Sequence, residues 1–348
     1  MSAITIKDIS EACGVSVSTV SRALNNHPDI NPETKKMIKD AIERYGYVPN
    51  NSARNLKRTD TTTIAILVKG ITNPFFSDMI KVIEDKAMKR AYTVVLRHVE
   101  YGEDEVDTAL ELTKERRLKG IVFLGGHFYH SEDKLNKLNI PFVMATAGCA
   151  PANMNKSLYS SFTVDDEEEG YKVTKYLIEL GHRDIAILCG ERENISVGQL
   201  RLAGYKRALK EAGIPVREEY IRPMREDIEY YSFLNGYETA RELLDDNENV
   251  TAIFAISDIL AVGACRAIAD RGLRVPDDIS VAGYDGIDMC RFMTPTLTSL
   301  RQPVKEIAEA SGDLLFDMIE GVRGNEHRIF EGELMTGEST GRPGKVTG

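Results

Sequence analysis

From Thr63 to Tyr284, short apolar runs alternate with amphipathic stretches, and this alternation constrains the fold more than any other feature of the chain. The runs Ile64 to Val68, Thr93 to Val99, Gly120 to Leu124, Pro141 to Ala145, Ile185 to Cys189, Ala252 to Ile256 and Ser280 to Tyr284 have the length and apolarity of buried strands. Between or beside them, Phe75 to Arg90, Glu105 to Arg117, Glu167 to Leu180, Leu200 to Ala212, Phe233 to Leu244 and Ile259 to Arg271 carry helical periodicity. Strands that alternate with helices pair in parallel, because a parallel pair needs a long crossover and both sheet faces must be covered. Such a body is too long for one compact sheet. The break near residue 160 therefore predicts two similar lobes with a cleft between them.

The segment before Thr63 has a different grammar. Ile6 to Ala12 is a short helix opened by Thr5, with Asp8 placed to complete a capping-box pair. Cys13-Gly14-Val15 interrupts it, and Ser16 caps a second helix that runs to Leu24. Asn31-Pro32-Glu33 is a cap, a proline at the first helical position and an acid at the positive dipole end of a third helix, which stops at Gly46. Asn50 can cap one further helix, Asn51 to Arg58, ahead of the Thr-rich linker Thr59 to Thr63. In this helix-turn-helix pattern Ile9, Val15 and Val20 clamp the helices, while Ala12 and Gly14 allow their close approach. Ser16, Val17, Ser18, Ser21 and Arg22 are left exposed. Arg22 has the fork geometry to take guanine O6 and N7 together, and hydroxyls and helix-end amides suit phosphates. A three-helix cap with a solvated polar face is the alternative.

Charge supports the first reading. The net charge of −10 excludes a uniformly basic nucleic-acid binder, but residues 1 to 58 hold nine Lys or Arg against six Asp or Glu. The head carries +3, so the remainder carries −10 − 3 = −13. A hydrophobic fraction of 42% fits a globular protein, and no apolar run is long enough to span a membrane. The start MSAITIKDIS lacks the basic-then-apolar order of an export signal, and the five cysteines, Cys13, Cys149, Cys189, Cys265 and Cys290, form no close pair. A cytoplasmic protein with free thiols is expected.

The runs Thr5-Ile6-Lys7-Asp8-Ile9, Cys13 through Asn25, Tyr45 through Asn50 and Ala53-Arg54-Asn55-Leu56-Lys57 closely resemble the N-terminus of the lac repressor/galactose repressor (LacI/GalR) family of bacterial regulators. The resemblance implies a small all-α helix-turn-helix head plus an α/β body with the two-lobed, type I periplasmic-binding-protein-like fold. It divides the chain into a DNA-binding domain (residues 1–49), a hinge helix and linker (50–62), and an effector-binding and dimerisation body (63–340). Val17, Ser18 and Arg22 are implied to read bases, within a DNA-contacting set completed by Thr5, Ser16, Thr19, Ser21, Asn25, Tyr47, Asn50, Ala53, Leu56 and Lys57. Leu56 is an apolar residue on a short basic segment; a wedge into the minor groove explains it, and packing on the body is the competing account.

In parallel sheets ligands sit beyond the C-terminal strand ends, which draws attention to residues just after strands. The family resemblance implies that Phe75 and Phe76 line an effector cleft, although Phe76 is equally readable as core. Arg201 and Asp258 match the family's ligand-contacting positions, yet each also reads as a helix-start charge. Tyr231 and Asp285 complete the implied set, with Gly286 standing where the family usually has a polar residue and Gly337 where it has an arginine. The acid run Asp165 to Glu169 reads as a dipole-favoured helix start rather than a metal site, and His127 and His130 as loop residues, with effector contact as the alternative.

No Walker loop, zinc-protease motif, dinucleotide fingerprint or carboxylate pair at a recognisable spacing is present, so neither a cofactor nor catalysis is expected. The expected function is a homodimeric repressor on a near-palindromic operator, controlled by a carbohydrate, with a purine-like ligand or protein corepressor as alternatives. The tail Glu338 to Pro343 lacks the leucine heptads that tetrameric members append, which favours a dimer. An exported sugar-binding protein and a sugar hydrolase are the rival readings of the body.

Overall fold

The computed structural model describes residues 4–24, 29–47, 62–126, 130–147, 155–190 and 196–344. The chain divides into two compact units, residues 1–61 and 62–348.

The described part of the first unit holds α1 (Ile6–Cys13), α2 (Val17–Leu24) and α3 (Pro32–Tyr45). The caps behave as their chemistry requires. Thr5 and Asp8 form the reciprocal capping box, and the Asn31 side chain accepts from the Glu33 amide at 2.9 Å. Gly14 and Gly46 end α1 and α3 in the left-handed region, at φ 62° and 60°. Ile9, Val20, Ala23, Ile38 and Tyr47 form the head's core, with Val15 partly buried against it.

The second unit contains two sheets. Lobe one has strands β1 (Thr63–Lys69), β2 (Thr93–Val99), β3 (Gly120–Leu124), β4 (Phe142–Ala145) and β5 (Ser161–Val164), with helices α4 (Phe75–Lys89), α5 (Glu105–Glu115) and α6 (Glu132–Asn136). Lobe two follows with α7 (Asp166–Glu179), β6 (Ile185–Cys189), α8 (Val197–Glu211), β7 (Ile221–Pro223), α9 (Phe233–Asp246), β8 (Ala252–Ala255), α10 (Asp258–Asp270), β9 (Ser280–Asp285) and β10 (Thr298–Arg301). The chain then returns to lobe one as α11 (Val304–Ile319) and β11 (His327–Phe330), and crosses a third time to place β12 (Glu333–Met335) in lobe two. The strand orders are β11-β5-β4-β3-β1-β2 and β12-β10-β9-β8-β6-β7. Every pairing is parallel except β10 with β12.

Strand β1 shows why lobe one needs helices on both faces. Ile64, Ile66 and Val68 pack toward α4 and α11, while Ala65 and Leu67 pack toward α5, each fully or almost fully buried. The two-lobed parallel architecture is as expected, with two corrections. The break near residue 160 comes one strand too early, since β5 still joins lobe one. The return through α11 and β11 was not anticipated, because local periodicity cannot say which of two similar sheets an element will join.

One helix crossing in lobe two depends on two glycines. A Cβ on Gly170 of α7 would lie 2.7 Å from the Arg201 carbonyl oxygen of α8, and one on Gly204 would overlap the Glu167 carbonyl. The backbones of α7 and α8 therefore touch directly, which sets Asp166 beside Arg201.

Candidate functional sites: the head surface and the interlobe cleft

In the head, Ser16 precedes α2 and its Oγ accepts from the Thr19 amide at 3.1 Å. The same hydroxyl lies 2.7 Å from Ser18 Oγ and 2.8 Å from Thr19 Oγ1, so α2 opens with a short row of linked hydroxyls. Ser16, Val17, Ser18 and Arg22 are exposed, and Thr19 and Ser21 are half-buried. Arg22 is ion-paired with exposed Asp29. Thr5 is exposed and spends its backbone amide and hydroxyl on Asp8. Tyr47 is placed differently from the expectation: its ring belongs to the head core, because α3 turns at Gly46 and folds it back against Ile9 and Ile38. Asn25, Asn50, Ala53, Leu56 and Lys57 lie outside the described residues, as does His127.

In the body, a cleft opens between the lobes at the C-terminal ends of their strands. Lys69 and Gly70 after β1, Tyr101 after β2, Gly125 and Gly126 after β3 and Thr146 after β4 line it from lobe one. Ser196, Val197 and Arg201 of α8, Tyr231, and Asp285 at the end of β9 line it from lobe two, with Gln302 at a crossing strand. Phe75 and Phe76 face the cleft and also join the lobe-one core, their rings edge to face at 5.2 Å. The two readings of these residues are thus compatible.

Arg201 is 4% exposed and tightly held. Its Nε donates to Asp166 Oδ1 at 2.9 Å, Nη2 lies 2.8 Å from the same oxygen, and Nη1 donates to the Ile256 carbonyl at 2.5 Å. The guanidinium lies over the Tyr284 ring at 3.6 Å, and the Tyr284 hydroxyl donates to Asp166 at 3.2 Å. Burial opposes the guanidinium charge, but the field of Asp166, with Tyr284 and Asp285, outweighs it and holds Arg201 firmly protonated. Burial raises Asp166 in turn, and Arg201 counteracts this. Arg201 stays charged, since an arginine does not release its proton, and its guanidinium favours the ionised form of Asp166 against burial.

Asp285 receives Asn73 Nδ2 at 3.0 Å and Gln302 Nε2 at 2.9 Å, and Arg201 Nη1 stands 3.9 Å away. Burial pushes its carboxyl up to about 6 against the pull of Arg201. Its backbone has φ 111° and that of Tyr231 φ 51°, conformations that side-chain-bearing residues seldom adopt. Two strained residues facing one cleft mark it as a place where geometry was fixed at some cost. The half-buried Tyr231 phenol is pushed up to about 12 by burial.

Asp258 does not line the cleft. It is fully buried, Oδ1 accepting from Ser299 Oγ at 2.5 Å and Oδ2 from the Ile287 amide at 2.8 Å. Burial, then the neighbouring Asp285 charge, push it up to about 7. Its bond to the Ile287 amide braces the loop after β9. The glycines at the two departures from the family pattern are sterically required: a Cβ on Gly286 would lie 2.5 Å from Arg301 Cα, and one on Gly337 2.5 Å from the Thr296 carbonyl.

The acid run proves to be two features. Asp165 caps α7 by accepting from the Glu168 amide at 3.1 Å, whereas Asp166 turns inward to Arg201. His130 is buried and lies 2.9 Å from Glu105 Oε1, while the other carboxylate oxygen, Oε2, stands 3.6 Å from Lys69 Nζ. Lys69, Asn73, Tyr101, Ser196 and Gln302 were not singled out from sequence as ligand contacts, although Lys69, Tyr101 and Gln302 stand at strand ends, where the strand-end rule already pointed, and Asn73 and Ser196 precede the helices that follow β1 and β6.

A helix-turn-helix head followed by a two-lobed sensor with its cleft at the strand ends defines a ligand-responsive DNA-binding regulator. Residues 5–50 match the model of the bacterial regulatory proteins of the lacI family, and residues 174–340 match the periplasmic binding protein-like domain. The chain is 39% identical to the HTH-type transcriptional regulator MalR of Clostridium butyricum over 97% of this chain and 99% of that protein. It is 34% identical to catabolite control protein A of Priestia megaterium over 90% of this chain and 91% of that one. Among solved structures, a transcriptional regulator CelR–cellobiose complex superposes with a TM-score of 0.69 at 28% identity, covering 97% of this chain and 99% of that chain. The chain belongs to the lacI family of bacterial regulatory proteins and is a DNA-binding transcriptional regulator.

Proposed function

We propose that this regulator is a homodimeric repressor that binds a near-palindromic operator and answers to a small polyhydroxylated molecule, most simply a carbohydrate, held in the interlobe cleft. The carrying observation is the cleft wall itself: Phe75, Phe76, Tyr101 and Tyr231 supply aromatic surface, and Arg201 and Asp285 supply a donor fork opposite an acceptor. Cellobiose in the CelR complex lends support from a relative of the same architecture.

Residues 1–49 act as the reading head, 50–62 as the hinge and 63–340 as the sensor and dimerisation body. Ser16, Val17, Ser18, Thr19, Ser21 and Arg22 approach bases and phosphates in the major groove. One small head makes too few contacts for tight binding, and a two-fold dimer doubles them. Effector binding changes the lobe angle, which alters how the Leu56 hinge enters the minor groove. The protein acts in the cytoplasm by binding, with no chemical turnover. Among the described residues no helix is long and apolar enough to cross a membrane.

The test is fluorescence anisotropy on operator DNA selected from random duplexes by the full-length protein. A shift of the operator binding curve by a neutral sugar supports the reading; unaltered binding across a broad sugar and nucleoside library counts against effector control. Failure to select any sequence counts against the repressor itself.

A further inference from the structure

Among the described residues two cations reach the cleft wall, Lys69 and Arg201, and both are already matched. Arg201 lies against Asp166 and faces Asp285. Lys69, 8% exposed, donates to the Glu103 carbonyl at 2.6 Å and stands 3.6 Å from Glu105. Three buried carboxylates thus oppose two buried cations. The N-terminal end of α8 adds only a partial positive charge. A phosphate or carboxylate entering here would have to displace Asp166 from a buried pair, stranding a charge in a dry site.

One polar atom in the cleft wall still lacks what its chemistry needs. Ser196 stands at the N-cap of α8, where a serine normally accepts from a helix amide, but its side chain makes no capping bond. Its Oγ is buried with no hydrogen-bond partner among the described residues. A ligand hydroxyl, which both donates and accepts, can satisfy that atom without bringing charge.

We infer that the cleft selects an uncharged polyol over its phosphorylated or carboxylated counterpart, with Ser196 contacting a ligand hydroxyl and Asp166 setting the selectivity by neutralising Arg201. Asp166 is a positioning residue, acting through the guanidinium it holds. This inference rests on the effector reading of the cleft and narrows it to a charge class.

The experiment uses the full-length protein and matched pairs of probes: ribose with ribose 5-phosphate, glucose with glucose 6-phosphate, and cellobiose with cellobiose 6-phosphate, measured by thermal shift and titration calorimetry. At least one neutral member should bind, and its charged partner should bind about tenfold more weakly or not at all. Ser196→Ala should weaken the neutral sugar about five- to tenfold while leaving the unliganded melting temperature unchanged, because the hydroxyl has no partner among the described residues. Asp166→Asn should narrow or reverse the preference; if that variant does not fold, Ser196→Ala and the wild-type ratio still decide. Equal or tighter binding of a charged member overturns the charge inference and leaves the effector reading standing. Wild-type affinity in Ser196→Ala overturns the role of that hydroxyl. If no member of either set binds and the operator complex is unaffected, the carbohydrate-effector reading falls, and this inference with it.

Discussion

Asn73 Nδ2 donates to Asp285 Oδ2 at 3.0 Å, and this single bond joins the lobe-one loop after β1 to the lobe-two strand β9. Asn73 also accepts from the Phe75 amide at 3.1 Å through Oδ1, so its orientation is fixed by the helix it precedes. Both partners are buried, which makes the bond costly to lose. Asn73→Ala should loosen the closed arrangement and weaken the best sugar of the matched panel about tenfold, roughly 1.4 kcal/mol. Calorimetry checks this; unchanged affinity would show that the bond does not bias the lobes toward closure.

A second cross-lobe contact is aromatic. Tyr101, after β2, stacks on Tyr230 at 4.0 Å with the rings 21° apart, and Lys69 Nζ lies 5.6 Å from the Tyr101 ring. Ring pairs of this geometry contribute about 0.5 to 1.5 kcal/mol beyond the area they bury. A double-mutant cycle with Tyr101→Ala and Tyr230→Ala, read out as sugar affinity, should return a coupling of that size. Additive losses would mean that each ring acts independently.

The position of Arg201 depends on the contact between α7 and α8. An alanine at 204 cannot fit while Glu167 stays where it is, so Gly204→Ala should force the helices apart and cost about 1 to 3 kcal/mol of stability. Because Asp166 and Arg201 sit on those two helices, sugar affinity should fall more than the lowered melting temperature explains. Loss of stability with full affinity retained would separate the crossing from the site.

These relationships show where reading the sequence succeeds and where it stops. Caps and alternation are local, so Thr5, Ser16, Asn31 and the strands β1 to β4, β6, β8 and β9 were legible from residue types and spacing, while the short β5 and β7 were not. The Arg201–Asp166 pair was not, because five consecutive acids at a helix start all satisfy the same dipole argument. Only the tertiary crossing at Gly170 and Gly204 distinguishes Asp166, which faces in, from Asp165, which caps. Asp258 poses a different difficulty. The family resemblance implied ligand contact and its helix-start position implied a structural charge, and only tertiary structure shows its carboxylate held by Ser299 and the Ile287 amide.

The buried Asp258 and Asp285 carboxyls also give stability a pH dependence with a definite sign. Burial raises both, Asp258 to about 7 and Asp285 to about 6, each from an ordinary value of 3.8. Between those limits the folded chain holds protons that the unfolded chain has released, so stability is greatest at the acidic end of the window and falls as pH rises from about 4 to 7. Ser299, the Ile287 amide and Cys290 moderate the effect at Asp258, as Arg201 does at Asp285. Asp258→Asn should flatten the upper part of this slope while keeping an acceptor for the Ile287 amide and changing the partner of Ser299 Oγ from acceptor to donor. Urea unfolding at several pH values measures it, and an unchanged slope would place the titration elsewhere.

In the head, Arg22 is exposed and paired with Asp29, so under the proposal that Arg22 reads a base it must exchange one partner for another. An exposed ion pair contributes little, about 0 to 1 kcal/mol, whereas a bidentate contact to guanine discriminates by roughly 1 to 3 kcal/mol. The exchange is therefore favourable only at the right base, and Asp29 makes Arg22 more selective by raising the threshold for binding. Arg22→Ala should lower affinity for the selected operator about 10- to 100-fold and relax the preference at one base pair in each half-site. Asp29→Asn should instead tighten binding to mismatched duplexes more than to the operator. Leu56→Ala should reduce operator binding far more than the salt-driven binding to random DNA, because a wedge matters only where DNA is kinked. Anisotropy titrations at two salt concentrations separate these outcomes, and a uniform loss across all sequences for Arg22→Ala would assign that side chain to the phosphate backbone.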